Sequence, residues 1–310
     1  MKVVFLGTPQ IALPSLEYLI KSSAVDVLSV VTQPDRPSGR GHNLTPPPIK
    51  LLAQQNGIQV FQTESIRKDK ELIEKLRSLN ADFFVTVAFG QILSQEVLNI
   101  PKYATINLHA SLLPEYRGAN PLQRAIVDGK KYTGVTTMLT VLELDAGDML
   151  LKKNIEITEE MTMPDLANIV SDLGAELLEQ SIIGYANKTI IPQKQDESQV
   201  SYANKFKKED GFLSFHCTSV EIHNKIRGLL PWPCVFVDYQ GSLIKLLKSK
   251  VIDFESIGKV GEILKISKDG IEIQTKKGII LIKMLQPQNK KTMNAFDWAN
   301  GTKIKVGETF

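Results

Sequence analysis

Residues 81–114 read ADFFVTVAFGQILSQEVLNIPKYATINLHASLLP, and two apolar runs within them decide the fold. ADFFVTVAF (81–89) and YATINLH (103–109) each read as a buried strand. The same texture continues outward. VVFLG (3–7) is a strand ending in a glycine turn, and VDVLSVVT (25–32) and IQVFQ (58–62) are two more. Between them lie segments with helical spacing: residues 10–22, residues 47–56 and the charged stretch KDKELIEKLRSL (68–79). Strands alternating with helices predict an α/β class, a parallel sheet with helices on both faces.

Beyond this half the pattern changes. Residues 134–157 read as two strand-like segments around the turn Asp145-Ala146-Gly147-Asp148, and residues 162–188 as one strong helix opened by Thr162 and Pro164. A polar stretch at 191–205 reads as a linker. After it come short alternating segments broken by glycines, among them VFVDY, SLIKLLKSKVI, GIEIQT and GIILIKML. That is the texture of a small barrel or sandwich. The expected domains are 1–190 and 206–310, joined by 191–205.

The chain has 310 residues, 43% hydrophobic and 23% charged, the balance of a folded protein and not of a disordered one. Charge-free stretches such as Phe83 to Gln95 are too short to span a bilayer. No export signal is visible, so the expected compartment is the cytoplasm. Two cysteines, Cys217 and Cys234, form neither a disulfide framework nor a Cys-x-x-Cys site. His216, Cys217, His223 and Cys234 fit no common zinc spacing, so no metal is expected. Residues 1–203 carry 19 Lys/Arg and 23 Asp/Glu, a net −4, whereas residues 204–310 carry 18 and 11, a net +7. A basic last third suits a polyanionic partner, and on charge alone a lysine-rich solvated surface is the competing reading.

Candidate chemistry sits at the end of the 103–109 strand. Residues two apart on a strand share a face, so Asn107 and His109 project together, roughly 6–7 Å apart along the strand. Open α/β sheets bind ligands outside the carboxyl ends of their strands. An amide donor and an imidazole are thus set side by side where a reacting group would sit. A buried histidine bonded to a backbone carbonyl is the competing reading. Asp145 is either a third member of the site or an Asx residue that stabilises its own turn. TQPDRPSGRG (32–41) follows the second strand, and residues 33–43 read as a long exposed loop whose Arg36 and Arg40 suit phosphate contacts, a passive insertion being the competing reading.

These pieces, with FLGTP (5–9), VAFGQIL (87–93), INLHASLLPEYRGANP (106–121), LELDAGDM (142–149) and LPWPC (230–234), resemble the methionyl-tRNA formyltransferase branch of the folate-dependent formyltransferase family over essentially the whole chain. The resemblance implies a Rossmann-like formyltransferase domain followed by a C-terminal OB-like β-barrel. It implies formyl transfer from 10-formyltetrahydrofolate to the α-amino group of methionyl initiator tRNA. By the same resemblance Asn107, His109 and Asp145 are catalytic. Ser111, Leu112, Leu113 and Pro114 line the folate site, with Gln91 and Leu93 contributing backbone contacts. Arg36, Arg40 and Lys205 are the expected tRNA contacts, and a monomer is expected. A formyltransferase for a small acceptor and a non-catalytic RNA-binding protein are the alternatives.

Overall fold

The computed structural model describes residues 1–38, 43–253 and 255–310. The chain forms two compact units. One comprises Met1–Gly118, Thr133–Ile155 and Ala167–Tyr202, the other Ala119–Tyr132, Glu156–Leu166 and Ala203–Phe310.

The first unit is built on seven strands: β1 (Lys2–Gly7), β2 (Asp26–Thr32), β3 (Gln59–Gln62), β4 (Phe83–Val87), β5 (Ala104–His109), β6 (Tyr132–Leu139) and β7 (Met149–Glu156). Their order is β7-β6-β5-β4-β1-β2-β3. Pairing is parallel from β3 through β5, and β6 joins β5 antiparallel. Every residue of β4 is buried, as a strand covered on both faces requires. On one face Phe84 and Val4 pack with Leu72, Ile73 and Leu76 of the helix Lys70–Ser78, which is capped by the Asp69 side chain. On the other, Phe83 meets Tyr185 of the long helix Met163–Ala186. That helix lies close because Gly174 leaves room for Leu108, where a methyl would overlap the leucine. The helices of residues 13–21 and 48–55 fall where spacing predicts them.

Two expectations are corrected. Residues 191–205 are not a free linker. Gln193 exchanges backbone hydrogen bonds with Met149, and the Gln195 amide donates to the carbonyls of Asp145 and Gly147. The stretch to Tyr202 therefore belongs to the first unit, because polar side chains can pack tightly when each finds a partner. The 32–41 segment is not wholly loop either. Arg36–Ser38 pairs antiparallel with Asn43–Thr45, and Asp35 at its base accepts hydrogen bonds from Gln62 and Lys50. Those contacts hold the Asp35 carboxyl below its ordinary range. Arg36 is exposed; Arg40 lies outside the described residues.

The second unit carries strands β8 (Val235–Tyr239), β9 (Ser242–Asp253), β10 (Ile263–Ser267), β11 (Gly270–Gln274) and β12 (Ile279–Pro287) in the order β8-β9-β12-β11-β10, all antiparallel. Register shifts along β9 and β12 bend the sheet around Ile222, Ile226, Val235, Leu246, Ile273, Ile280 and Trp298. The helix Pro121–Val127, which gave no sequence signal, belongs to this unit. It packs on Gly228, whose missing side chain admits Val127 and Ile126. The segment around Glu159 is pinned to the same helix, Ser219–Gly228. Arg227 donates to the carbonyls of Thr158 and Met161, and His223 bridges the Ser249 hydroxyl and the Glu159 carbonyl, each at 2.9 Å.

Burial holds the His223 ring below its ordinary range. Arg227 adds to the effect, while the Glu159 carbonyl and the carboxylates of Glu160 and Glu159 oppose it. The folded chain thus keeps His223 neutral where the unfolded chain takes up a proton, below about pH 6.5. The contribution is complete above that pH and is lost as pH falls. The melting temperature should drop between pH 7.5 and 5.5, and His223→Asn should start lower but decline less. Parallel declines in the two proteins would refute this.

Candidate active site

Asn107 and His109 lie at the carboxyl end of β5 as alternation requires. Thr86 is the register neighbour of Asn107 on β4, and its hydroxyl donates to Asn107 Oδ1 at 2.8 Å. The acceptor end of the amide is occupied, which leaves its N–H2 group to donate. His109 is only 6% exposed. Its Nε2 lies 2.9 Å from the Tyr116 carbonyl, which can only accept, so Nε2 carries the proton. Nδ1 then faces Asp145 Oδ2 at 3.6 Å. The backbone-carbonyl reading of this histidine is met by Nε2, while Nδ1 is left facing the Asp145 carboxylate.

Asp145 does not stabilise its own turn as an Asx residue. Its Oδ2 accepts the Gly118 N–H at 2.8 Å, from across the site. Its backbone is left-handed, φ 50°, a conformation non-glycine residues adopt only when their surroundings hold it. Two features do so. Gln195 Nε2 donates to the carbonyls of Asp145 (2.7 Å) and Gly147 (2.8 Å), and Gly147 sits so close to the Leu139 carbonyl that no Cβ fits.

The loop after β5 is fastened from within. Ser111 is fully buried and its hydroxyl donates to the Glu115 carbonyl at 2.6 Å, while Thr136 and Lys152 donate to the Ser111 and Leu113 carbonyls. Leu113 packs with Met138 and Met149; Leu112 is half-buried and Pro114 buried. The loop after β4 holds Gln91 and Leu93. The Gln91 side chain is committed to the Ile66 N–H and the Thr63 carbonyl, and Leu93 is in the core, so each offers a ligand only its backbone. The Phe89 carbonyl accepts from Gln33 and, at 3.5 Å, from the Thr8 hydroxyl, which ties together the loops after β1, β2 and β4. Lys205 is exposed and belongs to the second unit. Among the described residues no cluster of three or more His, Cys, Asp or Glu could hold a metal.

Sequence reasoning missed Thr86, Tyr116, Arg117 and Gln195. Thr86 had a signal, a lone hydroxyl in an apolar strand. Arg117 had a weaker one, a guanidinium within a glycine- and tyrosine-bearing stretch. Gln195 had none, because its partners are 48 and 50 residues away in sequence.

Gly147→Ala should push the turn off Leu139 and carry Asp145 with it. A displacement of about 1 Å can lower turnover on the order of 10²-fold. Turnover of this variant, assayed beside its melting temperature, checks the point; normal turnover would contradict it.

Comparison with known proteins places the chain. Residues 1–182 match the model of the family described as "Formyl transferase", and residues 205–303 match "Formyl transferase, C-terminal domain". The methionyl-tRNA formyltransferase of Clostridium tetani is 44% identical over 307 residues, covering 99% of this chain and 98% of its own. That of Clostridium botulinum is 45% identical over 305 residues, covering 98% of each. Among solved structures, the sugar 3N-formyl transferase WlaRD superposes with a TM-score of 0.68 at 21% identity over 94% of this chain and 99% of its own. An N-formyltransferase from Helicobacter canadensis gives 0.67 at 23%, over 91% and 98%. With both family models matched and 99% of its length aligned to such a relative, this two-unit chain belongs to the formyltransferase family.

Proposed function

We infer that the chain transfers the formyl group of 10-formyltetrahydrofolate to the α-amino group of methionyl initiator tRNA, giving the N-formylmethionyl-tRNA that begins translation. The observation that carries the mechanism is His109 Nδ1 facing the Asp145 carboxylate at 3.6 Å, one residue pair along from a donor-ready Asn107.

The amide of Asn107 fits an acyl donor, since its oxygen is tied to Thr86 and only its N–H groups are offered. The bound folate supplies a formyl group on nitrogen, which a neutral amine can attack. Asn107 donates to the acyl oxygen as negative charge gathers there, and a fixed donor of this kind is worth about 3–4 kcal/mol. His109 exchanges the proton that the incoming amine gives up and the departing nitrogen needs, through Nδ1, because Nε2 is held by Tyr116. Asp145 faces that nitrogen and stabilises positive charge on the ring or the amine. The loop Ser111 to Pro114 and the backbone of Gln91 and Leu93 line the folate. Arg36 and Arg40 meet the acceptor arm of the tRNA, and Lys205 with the lysine-rich 204–310 segment contacts its phosphates. The chain works in the cytoplasm, where translation in its bacterial relatives takes place, and as a monomer, since one chain supplies every residue named.

The deciding experiment is transfer of labelled formyl from 10-formyltetrahydrofolate to charged initiator tRNA, with a free amino sugar nucleotide as the competing acceptor. Preference for the sugar would overturn the acceptor assignment. Asn107→Ala and His109→Ala should each lower turnover by about 10²-fold or more while the melting temperature stays near that of the parent. Affinity for tRNA should fall steeply and log-linearly with salt, because each lysine–phosphate contact releases a counterion. A flat salt dependence would remove the basic segment from recognition.

A further inference from the structure

Arg117 has no exposed side-chain surface and is the largest side chain so fully buried. Its Nε donates to Gln195 Oε1 at 3.0 Å, and its terminal nitrogens reach Glu197 at 2.7 and 3.4 Å. A guanidinium only donates, so the oxygen of the Gln195 amide must face it. The NH2 end must then face the opposite way, where both of its protons are taken by the Asp145 and Gly147 carbonyls. The buried charge thus orients the amide, and the amide grips the turn on both sides of Ala146. The backbone adds a second hold. Arg117 N–H donates to the Ser201 carbonyl at 2.8 Å, and the next residue, Gly118, gives its N–H to Asp145 Oδ2.

The same stretch reaches His109. The Ser201 hydroxyl accepts the Tyr116 N–H at 2.9 Å, and the Tyr116 carbonyl accepts His109 Nε2. Both members of the facing pair are fastened to residues 195–201, one through Gln195 and one through Ser201.

We propose that Gln195, oriented by the buried Arg117, is a positioning residue for formyl transfer: it holds the Asp145 carboxylate against His109, and segment 195–201 is part of the working site. The proposal rests on the roles assigned to His109 and Asp145 above. Gln195 touches no substrate. It acts through the two carbonyls it caps, which keep Asp145 in a left-handed conformation it would otherwise leave.

The test is a double-mutant cycle on the full chain, assayed with 10-formyltetrahydrofolate and charged initiator tRNA. The single variants are Gln195→Leu and Asp145→Asn. Gln195→Glu is a second, isosteric variant; it still accepts from Arg117 but cannot donate to the turn, and it replaces Gln195→Leu should that protein not fold. The Gln195 variants should lower kcat by about tenfold to 10²-fold with the KM for folate changed less than about twofold. In the Asp145→Asn background the same substitution should cost little more, because the group it positions has already lost its charge. A merely structural role would lower stability and give multiplicative losses in the double variant, and that result overturns the proposal. Normal turnover in both Gln195 variants beside an impaired Asp145→Asn overturns it alone. Full turnover in Asp145→Asn overturns the catalytic role of Asp145 and the proposal together.

Discussion

A guanidinium with no water around it is the constraint on which the site depends. Moving a charge out of water costs on the order of several kcal/mol even after the protein relaxes. Burial works against the Arg117 charge, but the hydrogen bond and charge of Glu197, with the Tyr202 hydroxyl, more than offset it and keep the group protonated. Glu197 itself is mostly exposed, so its ion pair is screened by solvent. The Gln195 oxygen gives the guanidinium a second acceptor, at 3.0 Å. A donor-only group of this kind cannot be left unpaired cheaply, which makes it a rigid peg: every acceptor around it has one orientation, and that order passes to the turn carrying Asp145.

The remaining fastenings follow one rule. Parallel strands deliver loops to one edge of the sheet, but a strand end alone does not fix a side chain. Thr86 orients the Asn107 amide from the next strand, and the Phe89 carbonyl gathers the loops after β1, β2 and β4. Ser111 and Thr136 close the loop after β5 upon itself. In each case a polar side chain satisfies an acceptor, the Asn107 amide oxygen in the first and backbone carbonyls in the others, and a local shape becomes a fixed one. These contacts leave Asn107 its N–H2 group to donate and His109 its Nδ1 facing the Asp145 carboxylate.

The second unit is built on another balance. Its core is one antiparallel sheet bent by bulges around aliphatic residues and Trp298, while lysines account for its net charge of +7 over residues 204–310. His223 and Arg227 spend their polar capacity inside it, on the Glu159 segment, and take no part in the surface charge.

What the sequence determined alone was whatever repeats over a few residues. Strand and helix periods located β1 to β5 and the helices over 13–21, 48–55, 70–78 and 163–186 to within a few residues, and the two-residue strand period set Asn107 and His109 on one face. Charge counting separated an acidic part from a basic one. Only the tertiary structure decided the rest. It placed Asp145 opposite His109, gave the 121–127 helix and the Glu159 segment to the second unit, and turned a polar stretch resembling a linker into the strap that holds the site. The physical reason is range. Backbone periodicity is local and leaves its mark on neighbouring residues, whereas the bond from Arg117 to Gln195 joins positions 78 residues apart. A glutamine that will be buried and a glutamine that will be solvated look the same until the chain has closed around one of them.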